Sequence, residues 1–198
     1  VVFVADLYSD EYLGGAEITT EVFYENLILN KKVCKIKSTQ VNAELIEKGL
    51  MKHWVFFNYA GLNLDLIPTI VANLNYSIVE YDYKFCVYRS TEKHEEIDGV
   101  CNCHNEPNGQ IISSFMHGAM KLFWMSSGQR DFYFDKFPFL ENNNNFVLSS
   151  AFSKQTLERL KLSRNSKTER LDKALIIDSN SWIKGVDDSV KYCKDNDL

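Results

Sequence analysis

The sequence lacks any apolar run long enough to cross a membrane. Apolar residues make up 45% of the chain and charged residues 25%, as in ordinary globular proteins. The longest uninterrupted apolar stretches fall far short of the roughly 18 residues that a spanning helix needs. Residues Val1 to Ala5 are apolar, but no basic segment precedes them and Asp6 follows at once, so they do not form a secretory signal. We therefore expect no membrane span and predict that the first residues form a β-strand.

The sequence also lacks a net positive charge. The formal net charge is −5, which argues against general nucleic-acid binding because that function needs a basic surface. Residues 1 to 30 carry six acidic side chains and no lysine or arginine, whereas residues 154 to 173 carry seven basic side chains. The basic segment is most simply a solvated helix and loop, and contact with an anionic membrane surface or a polyphosphate is the alternative.

The cysteines are few and odd in number. Five cysteines without a secretory signal favour a reducing compartment over a disulfide framework, so we predict a cytoplasmic protein. Cys34 and Cys193 are isolated in the sequence, and we expect both to be structural. Nothing in the pattern predicts an oligomeric state.

Short apolar or β-branched runs alternate with segments of helical periodicity along most of the chain. The predicted strands are residues 1–5, 33–37, 53–58, 76–82, 122–126, 146–150 and 173–178. The predicted helices are residues 16–30, 42–50, 64–74, 111–121, 127–137 and 153–162. This alternation favours an α/β fold, a Rossmann-like and mostly parallel sheet flanked by helices. Ligands of such sheets bind outside the carboxyl ends of the strands, which selects the loops 6–16, 58–63, 81–111, 126–129 and 149–153.

The first of these loops ends in "LGGAE", where Gly14 and Gly15 precede a predicted helix. The glycine spacing of the dinucleotide fingerprint GxGxxG is absent. Two residues without a Cβ nevertheless allow a ligand to approach the backbone, and the free N–H groups at a helix N-terminus favour an anion such as phosphate. The alternative is a glycine turn that merely connects strand and helix.

The "GGAE" after the first strand, followed by an amphipathic helix, resembles the first domain of GT-B glycosyltransferases, in particular the retaining enzymes often called family four. The segment "VLSSAFSKQTLERL" (147–160) looks like their strand-to-helix segment before the interdomain linker. The resemblance implies that this domain binds the acceptor and closes on a nucleotide-sugar donor held by a second domain. It also implies that Gly14, Gly15, Ala16 and Glu17 face the donor diphosphate, and that catalysis requires no metal.

On this resemblance, residues 1–178 form the N-terminal, acceptor-side domain, and residues 179–198 form a linker and the start of a donor-binding domain. The chain begins without a methionine, which suggests a piece of something longer. The family's donor-binding motifs lie in the second domain, so no catalytic residue is assigned and this piece is not expected to be active by itself. The expected acceptor is a glycan, a lipid-linked sugar or a small polyol.

The long loop after the fourth predicted strand begins "EYDYKFCVYR". Tyr81 and Asp82 offer an aromatic face and a carboxylate at the carboxyl end of that strand, where they could hold a sugar. Lys84 and Arg89 add hydrogen-bond donors suited to phosphate. These four residues are the predicted acceptor site, and a solvated aromatic loop is the alternative. Family members often have a histidine at this point, and this sequence does not.

The same loop carries Cys86, Cys101, Cys103 and His104 in the pattern C-x14-C-x-C-H, with His94 nearby. Thiolates and imidazole can complete a tetrahedral zinc site, and such a site would staple a long loop. A C-x-C pair is less typical of zinc than a C-x2-C pair. A disulfide between two of the three cysteines and free thiols therefore stay open as alternatives.

Two other functions compete with the transferase hypothesis. One is a non-catalytic Rossmann-like module that recognises a sugar or a protein partner through a metal- or disulfide-stapled loop. The other is a different enzyme of similar architecture that uses a nucleotide or phosphate, since fold does not determine function. For the serines that follow two later strands, Ser126 and Ser149 among them, helix capping is the favoured interpretation.

Overall fold

The structure is a computed structural model, which describes residues 1–164, 173–176 and 184–197. The chain divides into two compact units, Val1–Ser153 and Lys154–Leu198. The first unit contains the sheet and all the residues of the candidate sites below. Among the described residues, no helix has the length and apolar character needed to pass through a bilayer.

Six parallel strands form one sheet in the order β2-β1-β3-β4-β5-β6. The strands are β1 (Val2–Ala5), β2 (Cys34–Lys37), β3 (His53–Asn58), β4 (Asn75–Glu80), β5 (Lys121–Trp124) and β6 (Asn145–Val147). Because every strand points the same way, all six carboxyl ends lie along one edge of the sheet. The predicted α/β fold with a parallel sheet and flanking helices is confirmed.

Helices connect or follow the strands, as the crossover geometry of a parallel sheet requires. They are α1 (Gly15–Leu27), α2 (Ala43–Lys48), α3 (Ile67–Asn73), α4 (Thr91–Asp98), α5 (Pro107–His117), α6 (Ser127–Lys136), α7 (Lys154–Arg164) and α8 (Val186–Asp195). Short 3-10 turns lie at Ser38–Gln40, Leu64–Leu66, Cys103–Asn105 and Pro138–Asn142. Ser126 caps α6 by accepting from the Gln129 N–H at 3.0 Å, so the predicted capping role of this serine is confirmed.

Apolar side chains are buried on both faces of the sheet. All four residues of β1 are buried, as expected of a parallel strand that helices cover on both sides. On one face, the rings of Phe56, Tyr76 and Phe115 pack with centroids 5.0 to 5.8 Å apart. On the other face, Phe3 and Phe57 pack with centroids 4.6 Å apart. The rigid core therefore holds the carboxyl-end loops in place.

The strand order reverses direction between β1 and β3, since β2 lies on one side of β1 and the later strands lie on the other. In open α/β sheets the crevice at such a switch point is the preferred place for a ligand. Asp6 ties this crevice together, because its carboxylate accepts the Ala60 and Gly61 N–H groups at 3.0 and 2.9 Å and the Ser38 hydroxyl. The loops after β1 and β3 are thus joined at the switch point.

Two sequence predictions differ from the structure. The segment predicted as one long loop at 81–111 contains helix α4 and the start of α5. The strand predicted at 173–178 is wrong at 173–176, which form no strand, and its last two residues lie outside the described residues. Part of the basic segment, 165–172, also lies outside them. The domain boundary after residue 178 stays a prediction.

Candidate functional site

Three cysteines and one histidine converge beyond the carboxyl end of β4. The side chains of Cys86, His94, Cys101 and Cys103 each offer one ligand atom, and these atoms all lie within 4.8 Å of one another. The three cysteines are buried and the His94 side chain is 12% exposed. This group, which we call the Cys3His cluster, could hold a metal ion.

The spacing within the Cys3His cluster is close to that of a tetrahedral zinc site. A zinc–sulfur bond is about 2.3 Å long and a zinc–nitrogen bond about 2.0 Å. Tetrahedral angles then place two bound sulfurs about 3.8 Å apart, and a sulfur and a nitrogen about 3.5 Å apart. The Cys86 and Cys101 sulfurs are 3.8 Å apart. The His94 Nδ1 lies 3.4 Å from the Cys86 sulfur and 3.3 Å from the Cys103 sulfur. These three distances match tetrahedral zinc geometry, and the remaining pairs of ligand atoms lie within 4.8 Å.

A carboxylate supports the histidine from outside the cluster. His94 Nε2 lies 3.2 Å from Asp98 Oδ2, one helical turn further along α4. Metal-bound histidines usually donate their second ring N–H to such a carboxylate, which sets the tautomer and the ring orientation. The Tyr88 ring packs edge-on against His94 with centroids 4.9 Å apart, and the negative charge of Asp98 raises the pKa of Tyr88. Nδ1 is therefore the nitrogen directed at the cysteines.

Local sequence signals explain why His94 occupies this position. The Ser90 side chain caps the N-terminus of α4 by accepting from the Lys93 N–H at 3.3 Å. Gly99 ends the helix in the left-handed conformation at φ 81°, as helix-terminating glycines commonly do. The helix has no apolar stripe of its own, so periodicity did not reveal it. Its start and stop residues were the available signal.

His104 lies outside the Cys3His cluster, although the sequence prediction made it the fourth ligand beside the three cysteines. It follows Cys103 within a 3-10 turn, and its Nδ1 is buried without a hydrogen-bond partner. Its ring packs edge-on toward Phe137 with centroids 6.5 Å apart. The prediction of His104 is wrong because adjacent residues in a turn project in different directions. Helix α4 instead places His94 beside Cys86 and Cys103.

The five cysteines form no disulfide in this structure. Burial raises the pKa of the Cys86 thiol to about 12, and the neighbouring Cys101 and Cys103 add to the effect. Burial also raises the pKa of Cys101. Without a cation, the raised pKa values keep the Cys86 and Cys101 thiols protonated at neutral pH. Cys34 is exposed on β2, away from this group.

Three of the four predicted acceptor residues meet at the carboxyl end of β4. Lys84 Nζ lies 2.9 Å from Asp82 Oδ1, and Arg89 donates from Nε to Asp82 Oδ2 at 2.8 Å. Burial opposes ionisation of Asp82, but the charges of Lys84 and Arg89 outweigh it and hold the pKa of that carboxyl below its usual value. The fourth residue, Tyr81, lies apart from them, with its hydroxyl 3.4 Å from that of Thr20 on α1.

Glu80 is the last residue of β4, and its position beside Asp82 in the sequence makes it a second carboxylate at this strand end, outside the four predicted acceptor residues. Its buried carboxylate accepts from the Tyr59 and Tyr133 hydroxyls at 3.0 Å each and lies 3.5 Å from Lys84 Nζ. Burial raises the pKa of Glu80, although Lys84 and Tyr59 act in the opposite direction. Both tyrosines are distant in the sequence and have no motif, so only the tertiary structure reveals this network.

Arg89 has an unusual backbone conformation. Its φ is 56°, in the left-handed region that non-glycine residues adopt at a cost of roughly 1 to 3 kcal/mol. Three contacts hold it there: its N–H donates to the Cys86 carbonyl at 2.9 Å, and its side chain binds Asp82 and the Asn58 amide oxygen. The turn from residue 83 to 89 thus links the Cys3His cluster at Cys86 to the charged side chains at the sheet edge.

A pocket of about 180 Å³ opens beside this turn. We call it the turn pocket, and its walls include Tyr59, Lys84, Cys86, Val87, Arg89 and Asn108. One member of the Cys3His cluster therefore also forms part of the pocket wall. Tyr59 and Ala60 belong to the loop after β3, so the pocket adjoins the switch point.

The glycine loop after β1 has a different character. Gly14 is the N-cap of α1, which has no side-chain cap, and a Cβ there would come within 2.4 Å of the Glu17 carboxylate and 2.8 Å of the Tyr12 ring. Close packing of the chain's own side chains thus accounts for Gly14. A Cβ on Gly15 would meet nothing within 4 Å. The Gly15 and Ala16 N–H groups have no hydrogen-bond partner within the described part of the chain.

Comparison with family models, with curated proteins and with solved structures finds no match to this chain.

The carboxyl edge of the sheet therefore holds two places that could bind a ligand. The Cys3His cluster and the turn pocket adjoin each other after β4, where they offer metal ligands, paired charges and aromatic walls. The glycine loop after β1 offers free backbone N–H groups beside the switch point. A cation suits the first place, a polar organic group suits the pocket, and an anion suits the free N–H groups.

Proposed function

We propose that this chain is the acceptor-side domain of a two-domain glycosyltransferase that moves a hexose from a nucleotide-sugar to a hydroxyl acceptor. In the reaction, the bond between the anomeric carbon and the diphosphate oxygen breaks, and the diphosphate leaves with the bonding electrons. A new bond forms from the anomeric carbon to the acceptor oxygen, whose proton is released. The parallel sheet, with its loops along one edge, supports this proposal but is shared with many other functions.

The observation that carries the proposal is the open first turn of α1. A Cβ added at Gly15 would meet nothing within 4 Å, and α1 is a 13-residue helix without a side-chain cap. Its N-terminal N–H groups and its dipole would stabilise the negative charge that develops on a departing diphosphate. Glu17 lies in the same first turn, so the diphosphate would approach from the Gly15 side and away from that carboxylate.

We also infer that the Cys3His cluster binds zinc and that the ion has a structural role. Three thiolates and one imidazole are a closed tetrahedral set, which leaves no position for substrate or water. The ion would cross-link the turn at Cys86, helix α4 and the segment around Cys101 and Cys103. It would supply a rigid wall for the turn pocket, while the proposed transfer itself runs without it.

The donor proposal is tested in the intact protein that carries this chain, by calorimetric titration with a panel of nucleotide-sugars. Gly15→Val is expected to weaken binding of the preferred donor about 10-fold or more, because its side chain would occupy the approach to the free N–H groups. Gly128→Val is the matched control: Gly128 also lies in the open first turn of a helix, with its nearest atom 3.9 Å from a built Cβ. Equal affinities for the wild type and Gly15→Val would refute the phosphate role.

Zinc is tested by elemental analysis of protein purified without added metal. One equivalent of zinc is expected in the wild type and in Cys34→Ser, and its loss is expected in Cys101→Ser and in His94→Ala. The variant His104→Ala separates the two histidines and should keep the metal. Retention of zinc by His94→Ala together with its loss from His104→Ala would reverse the assignment. Absence of zinc from the wild type and from every variant would refute the metal site and leave a cluster of free thiols.

The non-catalytic binding module is the outcome that remains if the donor test fails and the zinc test succeeds. In that case the zinc-bound loop and the turn pocket would serve recognition alone. The arrangement that favours this second candidate is the adjoining position of the Cys3His cluster and the pocket at Cys86.

A further inference from the structure

Both cations in the wall of the turn pocket already have carboxylate partners. Lys84 Nζ lies 2.9 Å from Asp82 and 3.5 Å from Glu80. Arg89 binds the Asp82 carboxylate through both Nε and Nη2, and its Nη2 also donates to Asn58 Oδ1 at 3.1 Å. Both nitrogens donate to the same oxygen, Asp82 Oδ2, and hydrogen bonds between two charged groups are stronger than ordinary ones. An anion that entered the pocket would have to compete with this pair.

The same carboxylate would repel an anionic ligand. Asp82 stays ionised at neutral pH, since its two cationic partners outweigh the effect of burial and lower its pKa. A phosphate group near Lys84 and Arg89 would therefore lie close to a fixed negative charge. The sequence suggests that these two cations suit phosphate, and in the structure each of them is paired with a carboxylate of the chain itself.

The remaining groups suit an uncharged, hydroxyl-rich ring. Asn108 is half-buried and its amide has no hydrogen-bond partner within the described residues, and the same holds for the Nη1 group of Arg89. Tyr59, Val87 and Ile112 add apolar wall. Such a combination of a few polar groups and apolar surface matches the hydroxyls and the C–H faces of a sugar.

The volume of the pocket limits the size of its ligand. At about 180 Å³ it is smaller than the roughly 300 Å³ at which pockets for drug-sized molecules begin. We propose that the turn pocket binds a single uncharged sugar ring or cyclic polyol and discriminates against its phosphorylated form. The role of that ring as the acceptor rests on the proposed function, whereas the binding itself does not require a donor or a transfer step.

The test measures binding to the zinc-loaded chain without nucleotide-sugar, by NMR titration. The probes are methyl α-glucoside and myo-inositol as neutral rings, with glucose 6-phosphate and inorganic phosphate as their charged counterparts. At least one neutral ring is expected to bind at millimolar concentration and about 10-fold or more tightly than either charged probe. Chemical-shift changes are expected at Ala60, Arg89 and Asn108.

Two substitutions test why the pocket would prefer a neutral ring to a charged one. Asp82→Asn removes the carboxylate of Arg89 and leaves Lys84 with Glu80 alone, so it should shift the preference toward glucose 6-phosphate by about 10-fold or more. Asp131→Asn is the matched control, because Asp131 also pairs with an arginine, Arg130 at 2.7 Å, but on the exposed surface of α6. Asn108→Ala removes the free amide without disturbing an ion pair. It should weaken the neutral probe about 10-fold while the spectrum stays folded.

Three outcomes would overturn the inference: no binding of either neutral ring, charged probes that bind as tightly as neutral ones, or an unchanged preference in a folded Asp82→Asn variant. If Asp82→Asn does not fold, the decision falls to the wild-type preference and Asn108→Ala. Failure here leaves the donor test at Gly15 untouched. Failure of that donor test likewise leaves the sugar preference measurable.

Discussion

The two loop regions at the carboxyl edge of the sheet are built in opposite ways. The segment from Tyr81 to Glu106 is tied by ion pairs, by a capped helix and by the Cys3His cluster. The glycine loop from Asp6 to Gly14 leaves Leu13 76% exposed and ends at a helix whose first N–H groups have no partner among the described residues. Side chains of the chain itself anchor both regions, since Asp6 binds the loop after β3 and Glu11 pairs with Lys37. The difference lies at the end of the glycine loop, where the unpaired N–H groups are the place that an anion would occupy under the proposed function.

If the Cys3His cluster binds zinc as proposed, a chelator is expected to have the largest effect on the difference between the two loop regions. A ligand present at 1,000 times its dissociation constant stabilises the folded state by about 4 kcal/mol, so a chelator should lower the free energy of unfolding by about that amount. Urea denaturation with and without EDTA measures it. Hydrogen exchange should increase in residues 81–106 and stay constant in residues 6–14.

The control for chelation is Cys34→Ser, which should respond to EDTA as the wild type does because Cys34 lies outside the cluster. Cys101→Ser should be insensitive to EDTA. An identical unfolding midpoint for the wild type with and without the chelator would contradict a structural metal.

Gly109→Ala comes next in size. A Cβ at this position would lie 2.1 Å from the backbone carbonyl oxygen of Cys103, a member of the Cys3His cluster. Overpacking of this kind costs typically 1 to 3 kcal/mol, and we expect about 3 kcal/mol because backbone must move. Thermal unfolding checks the value. Gly128→Ala has room for its methyl group and should be close to neutral, so a similar loss in both variants would break the argument.

Asp98→Asn tests the carboxylate that supports His94. Loss of such an outer partner typically lowers metal affinity 10-fold to 100-fold, which corresponds to about 1.4 to 2.7 kcal/mol. Competition with a chromophoric chelator measures the affinity. The matched control is Glu96→Gln on the same helix, where Glu96 pairs with Lys93 at 2.6 Å on the surface. Equal zinc affinities for Asp98→Asn and Glu96→Gln would remove Asp98 from the metal site.

Gly15→Ala should have the smallest effect. The added methyl group meets nothing within 4 Å, and Gly15 is not among the residues with a positive φ. Replacement of such a glycine stabilises a protein by about 0.4 to 1 kcal/mol, because the unfolded chain loses conformational freedom. Differential scanning calorimetry is the measurement. A destabilised Gly15→Ala variant would mean that the first turn of α1 is more tightly packed than the structure has it.

Much of the fold could be predicted because its causes are local. The apolar run from Val2 to Ala5 reports burial directly, and the periodicity of α1 locates a helix although the residues that it buries are polar (Glu17, Thr19 and Thr20). Helix α4 was missed because it is hydrophilic and is held by caps and by His94 rather than by an apolar stripe. The strand expected at 173–178 failed at its first four residues, since an apolar run does not specify a strand without a neighbour to pair with.

Part of the candidate site could likewise be predicted from local sequence, and part of it could not. The three cysteines could be selected from their types and their proximity in the sequence. The sequence offers both His94 and His104 as the fourth member of the cluster. The choice depends on helix α4, which places the His94 side chain beside the cysteines, whereas His104 lies in a 3-10 turn outside the cluster. The predicted group of Tyr81, Asp82, Lys84 and Arg89 was divided in the structure. Alternation along an extended segment sends neighbouring residues to opposite faces of a sheet, and Tyr81 lies next to α1.

The sequence by itself determined the class of fold, the edge of the sheet that carries the sites and the residue types capable of binding a metal or an anion. Those properties follow from composition and from periodicities of a few residues. The tertiary structure decided the strand order, the histidine that joins the three cysteines, and the partners of Lys84 and Arg89. The physical reason is distance along the chain: Glu80 meets Tyr59 and Tyr133 across 21 and 53 residues, and no local pattern encodes such contacts.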